Sequence, residues 1–227
     1  MPRIALTKGR LLEPALAWLS EKGFARPDLA GRALCLPLGR GWEAVLLKGP
    51  DVAVFVQNGA ADLGIVGSDV LEEDRPDVYD LRDLPFGRCR LSLAAPVGSE
   101  AAPGPTPLRV ATKYPRTAER LLAARGLWVR LIRVTSSVEL APLLGLSDAI
   151  VDLVDTGGTL RENGLLELGV LLPVQSHLIA NRGAYRFLQE PWWEEEPGPP
   201  RFSSTAADQP QEAPPESGWR ERAARKA

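Results

Sequence analysis

The sequence is poor in the residues that most often carry covalent or metal chemistry. Among 227 residues there are two cysteines, Cys35 and Cys89, and one histidine, His177. Two cysteines make neither a disulfide framework nor a cysteine zinc cluster. Cys89 lies between Arg88 and Arg90, a setting that can activate a thiol, but such a residue more often serves as a small buried hydrophobe. His177 opens an apolar run and reads as structural rather than catalytic. An excess of positive charge is also missing: 27 Lys and Arg stand against 29 Asp and Glu. That balance excludes a general nucleic-acid footprint, while leaving room for a local basic cluster around a small anion. No apolar run approaches the roughly 20 residues that cross a bilayer. The first residues, Met1-Pro2-Arg3-Ile4-Ala5-Leu6, lack the apolar core of a signal peptide, so the cytoplasm is the expected compartment.

What the chain does have, up to about residue 188, is alternation between short apolar runs and helical patterns. Arg3–Thr7 reads as a strand, a Lys8-Gly9-Arg10 turn follows, and Leu12, Ala15, Leu16 and Leu19 share one helix face. Further strands are predicted at Val45–Leu47, Leu63–Val66, Arg90–Ala95, Leu108–Thr112, Trp128–Val134, Ala149–Val154 and Leu178–Ala180. Helices are expected from Asp51 as N-cap to Gly59, after Gly67-Ser68-Asp69, at Arg116–Arg125, from Ser136, after Gly158, and at Arg182–Leu188. Such alternation implies an α/β protein with largely parallel sheets. A Pro/Gly-rich stretch, Pro96–Pro107, breaks it into two lobes. Beyond Glu190 the composition turns to Pro, Glu, Ser and Ala and reads as a disordered tail, despite Trp192 and Trp193.

The stretch Asp152–Leu160 carries the most chemistry. An apolar strand ends in Asp152 and Asp155, and a Thr156-Gly157-Gly158-Thr159 turn then leads into a helix at Leu160. A turn of this kind aims several backbone N–H groups and two hydroxyls at one spot, beside the positive end of a helix dipole, which suits a phosphate. The two carboxylates suit ribose hydroxyls or a metal-bound diphosphate. No Lys follows the glycines, so this is not a Walker A loop, and it is not GxGxxG. An ordinary strand-to-helix turn with the threonines as caps remains an alternative.

Upstream, Ser136-Ser137-Val138-Glu139-Leu140-Ala141-Pro142-Leu143 leads toward that loop. The run Glu139–Leu160 resembles the signature region of the ATP phosphoribosyltransferases. Ile4-Ala5-Leu6-Thr7-Lys8-Gly9-Arg10, Gly59–Gly67, Phe86–Leu91 and Ala111-Thr112-Lys113-Tyr114-Pro115 are similar to other segments of the same family, in the same order. The resemblance runs from residue 3 to about 186. It departs at Lys48, which stands where the family typically has Arg and lacks the bidentate fork of Arg, and at Ser136, where glycine is common.

The resemblance implies two α/β lobes like those of type II periplasmic binding proteins, with substrates in the cleft between them. The lobes would be 1–88 with 178–188, and 89–177, followed by a disordered segment 189–227. Asp152 and Asp155 would address the ribose of phosphoribosyl pyrophosphate, and Thr156, Gly157, Gly158 and Thr159 its 5-phosphate, with Leu160 closing the same substrate-binding loop. Lys8, Gly9, Arg10 and Arg32 would serve ATP and pyrophosphate, with Arg10, Arg32 and Glu139 as catalytic residues. Glu139 also fits a capping box with Ser136. The implied reaction is displacement at ribose C1 by N1 of the ATP adenine, giving phosphoribosyl-ATP and pyrophosphate, the first step of histidine biosynthesis. Mg²⁺ would travel on the diphosphate, and no protein metal ligand is assigned.

With no histidine-sensing domain expected after the lobes, the resemblance is to the short form of the enzyme. That form works with a regulatory subunit similar to histidyl-tRNA synthetase, and the chain alone is expected to be a homodimer. Nucleic acid and membrane are not expected partners. Two other readings stay open: a non-catalytic solute-binding protein of the same fold, and a phosphoribosyltransferase with a different acceptor.

Overall fold

A computed structural model describes residues 1–99, 106–188, 192–193 and 201–202. The chain divides into two compact units at Gly87/Arg88 and Val174/Gln175, against the 88/89 and 177/178 read from the sequence. The second boundary moves because the returning strand starts at Ser176, so His177 belongs to the first unit's sheet.

The first unit runs β1 (Arg3–Thr7), α1 (Leu12–Glu21), β2 (Cys35–Gly39), β3 (Trp42–Leu47), α2 (Gly49–Gln57), β4 (Leu63–Gly67), α3 (Ser68–Asp74) and β5 (Tyr79–Asp83). The second unit contributes β6 (Cys89–Pro96), β7 (Leu108–Thr112), α4 (Pro115–Ala123), β8 (Val129–Arg133), α5 (Leu140–Leu143), β9 (Ala149–Val154), α6 (Gly158–Glu162) and β10 (Leu165–Val174). The chain then returns to the first unit with β11 (Ser176–Ala180), a 3₁₀ turn at Ala184–Phe187 and β12 (Arg201–Phe202).

The first sheet has the order β12-β5-β11-β4-β1-β3-β2. Side chains alternate across it, as a period of two requires. Ile4 and Leu6 enter one core with Leu16 and Leu19 of α1, while Ala5 enters another with Val52, Ala53 and Val56 of α2. The second sheet has the order β10-β6-β9-β7-β8 and the same construction. Val110 packs with Ala118 and Leu122 of α4 on one face; Ala111 packs with Ala141 of α5 and Leu160 of α6 on the other.

The sheets are mixed rather than largely parallel. Only β1–β3, β1–β4, β7–β8 and β7–β9 pair in parallel; the remaining described pairings are antiparallel. Of the antiparallel members, β6 and β11 are the predicted Arg90–Ala95 and Leu178–Ala180, whereas β2, β5 and β10 are strands the alternation hides. β2 contains Pro37, tolerated because the strand lies at a sheet edge. β5 is Tyr-Asp-Leu-Arg-Asp and too polar to read as a strand, and β10 carries Gly169 and Pro173 with two register shifts along its edge. Two helix starts also shift. Lys48, not Asp51, is the N-cap of α2, and α5 starts at Leu140 rather than Ser136. The last helix is a 3₁₀ turn shorter than the predicted Arg182–Leu188.

The expected disordered segment over 189–227 is overturned at its tryptophans. Trp193 is 2% exposed within the first core. The Trp192 ring lies 4.7 Å from Phe24, 5.7 Å from Trp18 and 5.9 Å from Trp42. Arg82 donates a hydrogen bond to the Trp193 carbonyl, and the backbone of Arg201-Phe202 pairs with Asp80 and Tyr79. Average composition conceals this because two indoles can bury 150–250 Å² each. The other residues of that span lie outside the described ones.

Candidate active site

In both units, the candidate residues sit where parallel strands end. Carboxyl ends of parallel strands are the usual ligand edge of an α/β sheet, because the following turns present backbone N–H groups there. In the second unit β7 ends at Thr112, β8 at Arg133 and β9 at Val154, with Thr112 in register between Arg133 and Val151. Lys113, the Ser136–Glu139 segment and the Asp155–Thr159 turn follow these strands directly.

The turn is built by Gly157, whose φ of +75° lets the chain reverse in the left-handed region before α6 begins. Leu160 anchors the helix: it is 7% exposed, in a core with Val154 and Leu165. Its side chain therefore contributes packing, and only its backbone can face a ligand. Asp155, Thr156 and Thr159 remain exposed. The carbonyl of Asp155 accepts from Arg90 Nη1 at 2.8 Å, and that of Thr156 from Arg161 Nη1 at 3.1 Å. The Gly158 N–H donates to Thr156 Oγ1 at a long 3.4 Å. No threonine caps α6. Thr156 Oγ1, though it accepts from the first N–H of α6, keeps its own proton to donate.

Asp152 lies one layer deeper, facing the same side as Val154. Its side chain is 18% exposed, and Lys113 Nζ stands 3.5 Å from Oδ2. The other oxygen accepts from the Leu153 N–H at 2.9 Å. Burial lifts the Asp152 carboxyl above the ordinary carboxylate range; Lys113 pulls it partly back, and the negative charge of Glu139 adds to the upward push. Glu139 is therefore close enough to feel Asp152. The proposed capping box is not formed, since Glu139 itself occupies the N-cap of α5 in helical geometry without a side-chain cap. Ser137, two residues before it, holds φ +47°, which breaks the helix that Ser136 was expected to start. The glutamate is thereby left for another use.

In the first unit, β1, β3 and β4 end together, with Thr7 opposite Leu47. The Lys8 N–H closes onto the Leu47 carbonyl at 2.7 Å, which starts the Lys8-Gly9-Arg10 turn. Lys8 and Arg10 are exposed, and Arg10 Nη1 donates to the Gly87 carbonyl at 3.2 Å. Lys48 follows β3 at the same edge. Arg32 is exposed in the segment between α1 and β2, and makes no ion pair among the described residues.

Residues 48–193 match the family model for ATP phosphoribosyltransferase. The chain belongs to the ATP phosphoribosyltransferase family. It is 45% identical to an ATP phosphoribosyltransferase of Symbiobacterium thermophilum over 194 residues, covering 82% of this chain and 88% of that one. Identity to the enzyme of Rubrobacter xylanophilus is 48% over 191 residues, 81% of this chain and 88% of the relative. Among solved structures, a chain of the Thermotoga maritima ATP phosphoribosyl transferase (HisG:HisZ) complex superposes with a TM-score of 0.70 at 33% identity, covering 82% and 90% of the two chains. The periplasmic aliphatic sulphonate binding protein SsuA of Escherichia coli superposes at 0.58 with 19% identity, covering 82% and 66%, which shows a shared fold alone. The fold is accordingly the two-lobed α/β fold of type II periplasmic binding proteins. The chain is an ATP phosphoribosyltransferase, a pentosyltransferase that opens histidine biosynthesis.

Within this family member, the second unit brings together Asp152, Glu139 and the Asp155–Thr159 turn. The first unit gathers Lys8, Gly9 and Arg10 at its own strand edge, while Arg32 lies away from that turn in sequence. Lys113 is the member that pattern reading passes over. Its signal is its place directly after β7, in the Ala111–Pro115 segment that already carries the family resemblance.

Proposed function

We propose that this chain joins the N1 of ATP adenine to C1 of 5-phosphoribosyl 1-pyrophosphate through the residues just described. The observation that carries the proposal is the second unit's strand edge. It offers the backbone N–H groups and exposed hydroxyls of Thr156–Thr159 beside a carboxylate, Asp152, that Lys113 keeps partly compensated. The donors suit the 5-phosphate, and Asp152 and Asp155 suit the ribose hydroxyls. Lys8, Arg10 and Arg32 of the first unit are the cations that would address ATP and pyrophosphate.

The adenine nitrogen is neutral and already nucleophilic, so no Ser, Cys or His nucleophile is needed. His177 is engaged elsewhere, with Nδ1 2.9 Å from Asp80 Oδ2. Displacement at C1 places positive charge on the ribose ring and negative charge on the leaving pyrophosphate. Carboxylates near the ring and cations near the diphosphate act on those charges as they develop, and positioning supplies much of the rest. Among the described residues no three carboxylate, histidine or cysteine side chains gather to hold a metal. In this proposal Mg²⁺ comes as part of the substrate, chelated by the diphosphate, where it would neutralise the leaving group.

The same reading makes the chain a cytoplasmic catalytic subunit, dimeric alone and regulated in a hetero-oligomer. The hetero-oligomeric part is supported by the likeness to the Thermotoga maritima chain, which comes from a HisG:HisZ complex. Histidine would then act through differential affinity for conformations of that assembly.

The test is spectrophotometric formation of phosphoribosyl-ATP from the two substrates, with Mg²⁺, by wild type and by Thr159→Ala. Product formation by wild type and a higher KM for phosphoribosyl pyrophosphate in the variant are expected, as loss of a charge-assisted contact costs on the order of 1.5–3 kcal/mol. Wild-type kinetics in Thr159→Ala would remove the loop assignment. Consumption of another base in place of ATP would change the acceptor, and binding without turnover would favour a solute receptor. Adding a regulatory subunit should raise activity and confer histidine inhibition. Strong inhibition of the purified chain alone would overturn the hetero-oligomeric part.

A further inference from the structure

Arg90 stands on β6 opposite Val154 of β9 and Pro173 of β10, on the sheet face that also carries Ser92 and Asp152. Its guanidinium makes three directed hydrogen bonds. Nε and Nη2 donate to the two oxygens of Glu167 at 2.6 and 2.7 Å, and Nη1 donates to the Asp155 carbonyl at 2.8 Å. Glu167 is locked in turn, because Ser92 Oγ donates to its Oε1 at 2.7 Å and Ser92 has no exposed surface. Glu167 lies at a register shift in β10, between its own pairing with Ala94 and that of Gly169 with Leu93. Such shifts re-aim a side chain that regular pairing would place elsewhere.

Stability alone does not account for where this network reaches. The β6–β10 pair is already held along its length by backbone bonds and by Leu91, Leu171, Leu172 and Val174 in the core. The bidentate Arg90–Glu167 pair adds some stability of its own, but that does not explain why the third donor of Arg90 goes to the loop. What the network does reach is the phosphoribosyl loop. Arg90 holds the C=O of the Asp155–Thr156 peptide, and Arg161 holds the C=O of the Thr156–Gly157 peptide at 3.1 Å. In a trans peptide the N–H points opposite the C=O, so fixing the two carbonyls fixes the Thr156 and Gly157 N–H directions. A cation on the carbonyl also polarises each peptide and makes its N–H a stronger donor.

We propose that Arg90, held by Glu167 and Ser92, is a positioning residue for phosphoribosyl pyrophosphate, and that with Arg161 it aims and strengthens two successive backbone donors of the loop. The inference rests on the assignment of that loop to the 5-phosphate. Arg90 touches no substrate in this account; it acts through the peptide it holds.

The experiment compares wild type with Glu167→Gln, Arg90→Lys and Ser92→Ala, reading kcat, the KM of each substrate and the melting temperature. Asp148→Asn is the control. It cuts another Arg–carboxylate pair, in which Arg109 Nη2 donates to Oδ1 at 2.6 Å and Nε to Oδ2 at 3.2 Å, at the opposite, amino end of β7 and β9. Glu167→Gln should raise the KM for phosphoribosyl pyrophosphate about ten-fold while leaving that for ATP unchanged. Arg90→Lys should do likewise, since an ammonium cannot keep the fork and the carbonyl together. Ser92→Ala, the mildest change, should show a smaller shift in the same direction and keeps the test open if the charged variants fail to fold. Asp148→Asn should lower the melting temperature without touching either KM. Unchanged phosphoribosyl pyrophosphate KM in all three variants overturns the proposal. So does a rise in both KM values that tracks melting temperature and is matched by Asp148→Asn. Because Thr159→Ala tests the loop itself, its normal behaviour would indict the loop assignment, whereas its impairment beside a normal Glu167→Gln would indict Arg90 alone.

Discussion

Lys113 Nζ faces Asp152 Oδ2 at 3.5 Å, from the turn after β7 to the middle of β9. Asp152 is lifted by burial, and Lys113 is the chief influence pulling it down. Removing the lysine therefore raises the carboxyl further. If the ionised carboxylate serves the ribose, the acid limb of kcat/KM for phosphoribosyl pyrophosphate should move to higher pH in Lys113→Ala and return in Lys113→Arg. A pH–rate profile checks this, and an acid limb that stays in place would remove Lys113 from the site.

Asp152→Asn should separate function from stability. A carboxyl raised in the folded state binds its proton more tightly there than in the unfolded chain, so its ionised form costs stability above the folded pKa. That cost is present at neutral pH and vanishes as pH falls below the unfolded value. Asparagine removes the charge while keeping the shape. The variant should melt at or above the wild-type temperature at pH 7, lose that advantage in acid, and use phosphoribosyl pyrophosphate poorly. Melting curves at two pH values, with kinetics, decide it; a large drop in melting temperature at pH 7 would contradict the burial argument.

These residues also mark how far the sequence could be read. Helices with an apolar face, such as α1, and strands of β-branched or apolar residues, such as β4 and β9, are visible from periodicity alone. β5 is not, because Asp80 and Asp83 serve His177 and the sheet rather than the alternation. β10 escapes because its bulges and proline break the period of two. The loop Asp152–Leu160 is legible because strand, carboxylates, glycines and helix fall within nine consecutive positions. Its supports are not, since Arg90, Ser92 and Glu167 meet across three-dimensional register, 75 or more positions apart for the glutamate. Local pattern carries the site's first layer, and topology carries what holds it.

Gly87 should resist substitution. It holds φ +74°, and an added Cβ would lie 2.1 Å from Ser176 Oγ and 2.5 Å from Leu11 Cδ2. Leu11 immediately follows Arg10, whose guanidinium donates to the Gly87 carbonyl. Gly87→Ala combines a strained backbone with overpacking, which together cost on the order of 2–4 kcal/mol. The melting temperature should fall by several degrees, and the KM for ATP should rise if Arg10 serves that substrate. A variant as stable as wild type would show that the turn can shift freely.

The last prediction concerns the tryptophans beyond the final 3₁₀ turn. Trp193 is buried in the same core as Trp18, Phe24 and Leu38, and Trp192 stands edge-on to Phe24 and Trp42. Both come from a stretch whose average composition argues for no packing at all, so their contribution is measurable against a clear opposite expectation. Trp193→Ala should destabilise by about 3–5 kcal/mol, the cost of emptying a large aromatic site. Ending the chain after residue 188 should do at least as much, since it also removes the Trp192 edge contacts and the Arg82 bond to the Trp193 carbonyl. Trp192→Phe should be far milder. Among the described residues the Trp192 indole N–H is buried without a partner, so phenylalanine discards an unsatisfied donor while keeping an aromatic ring. Thermal melts of the three variants give the ranking. If truncation leaves the melting temperature unchanged, the pair is a surface decoration and the first core closes without it. If truncation lowers it while Trp192→Phe does not, the segment is a strap whose hold on the first unit comes from ring burial.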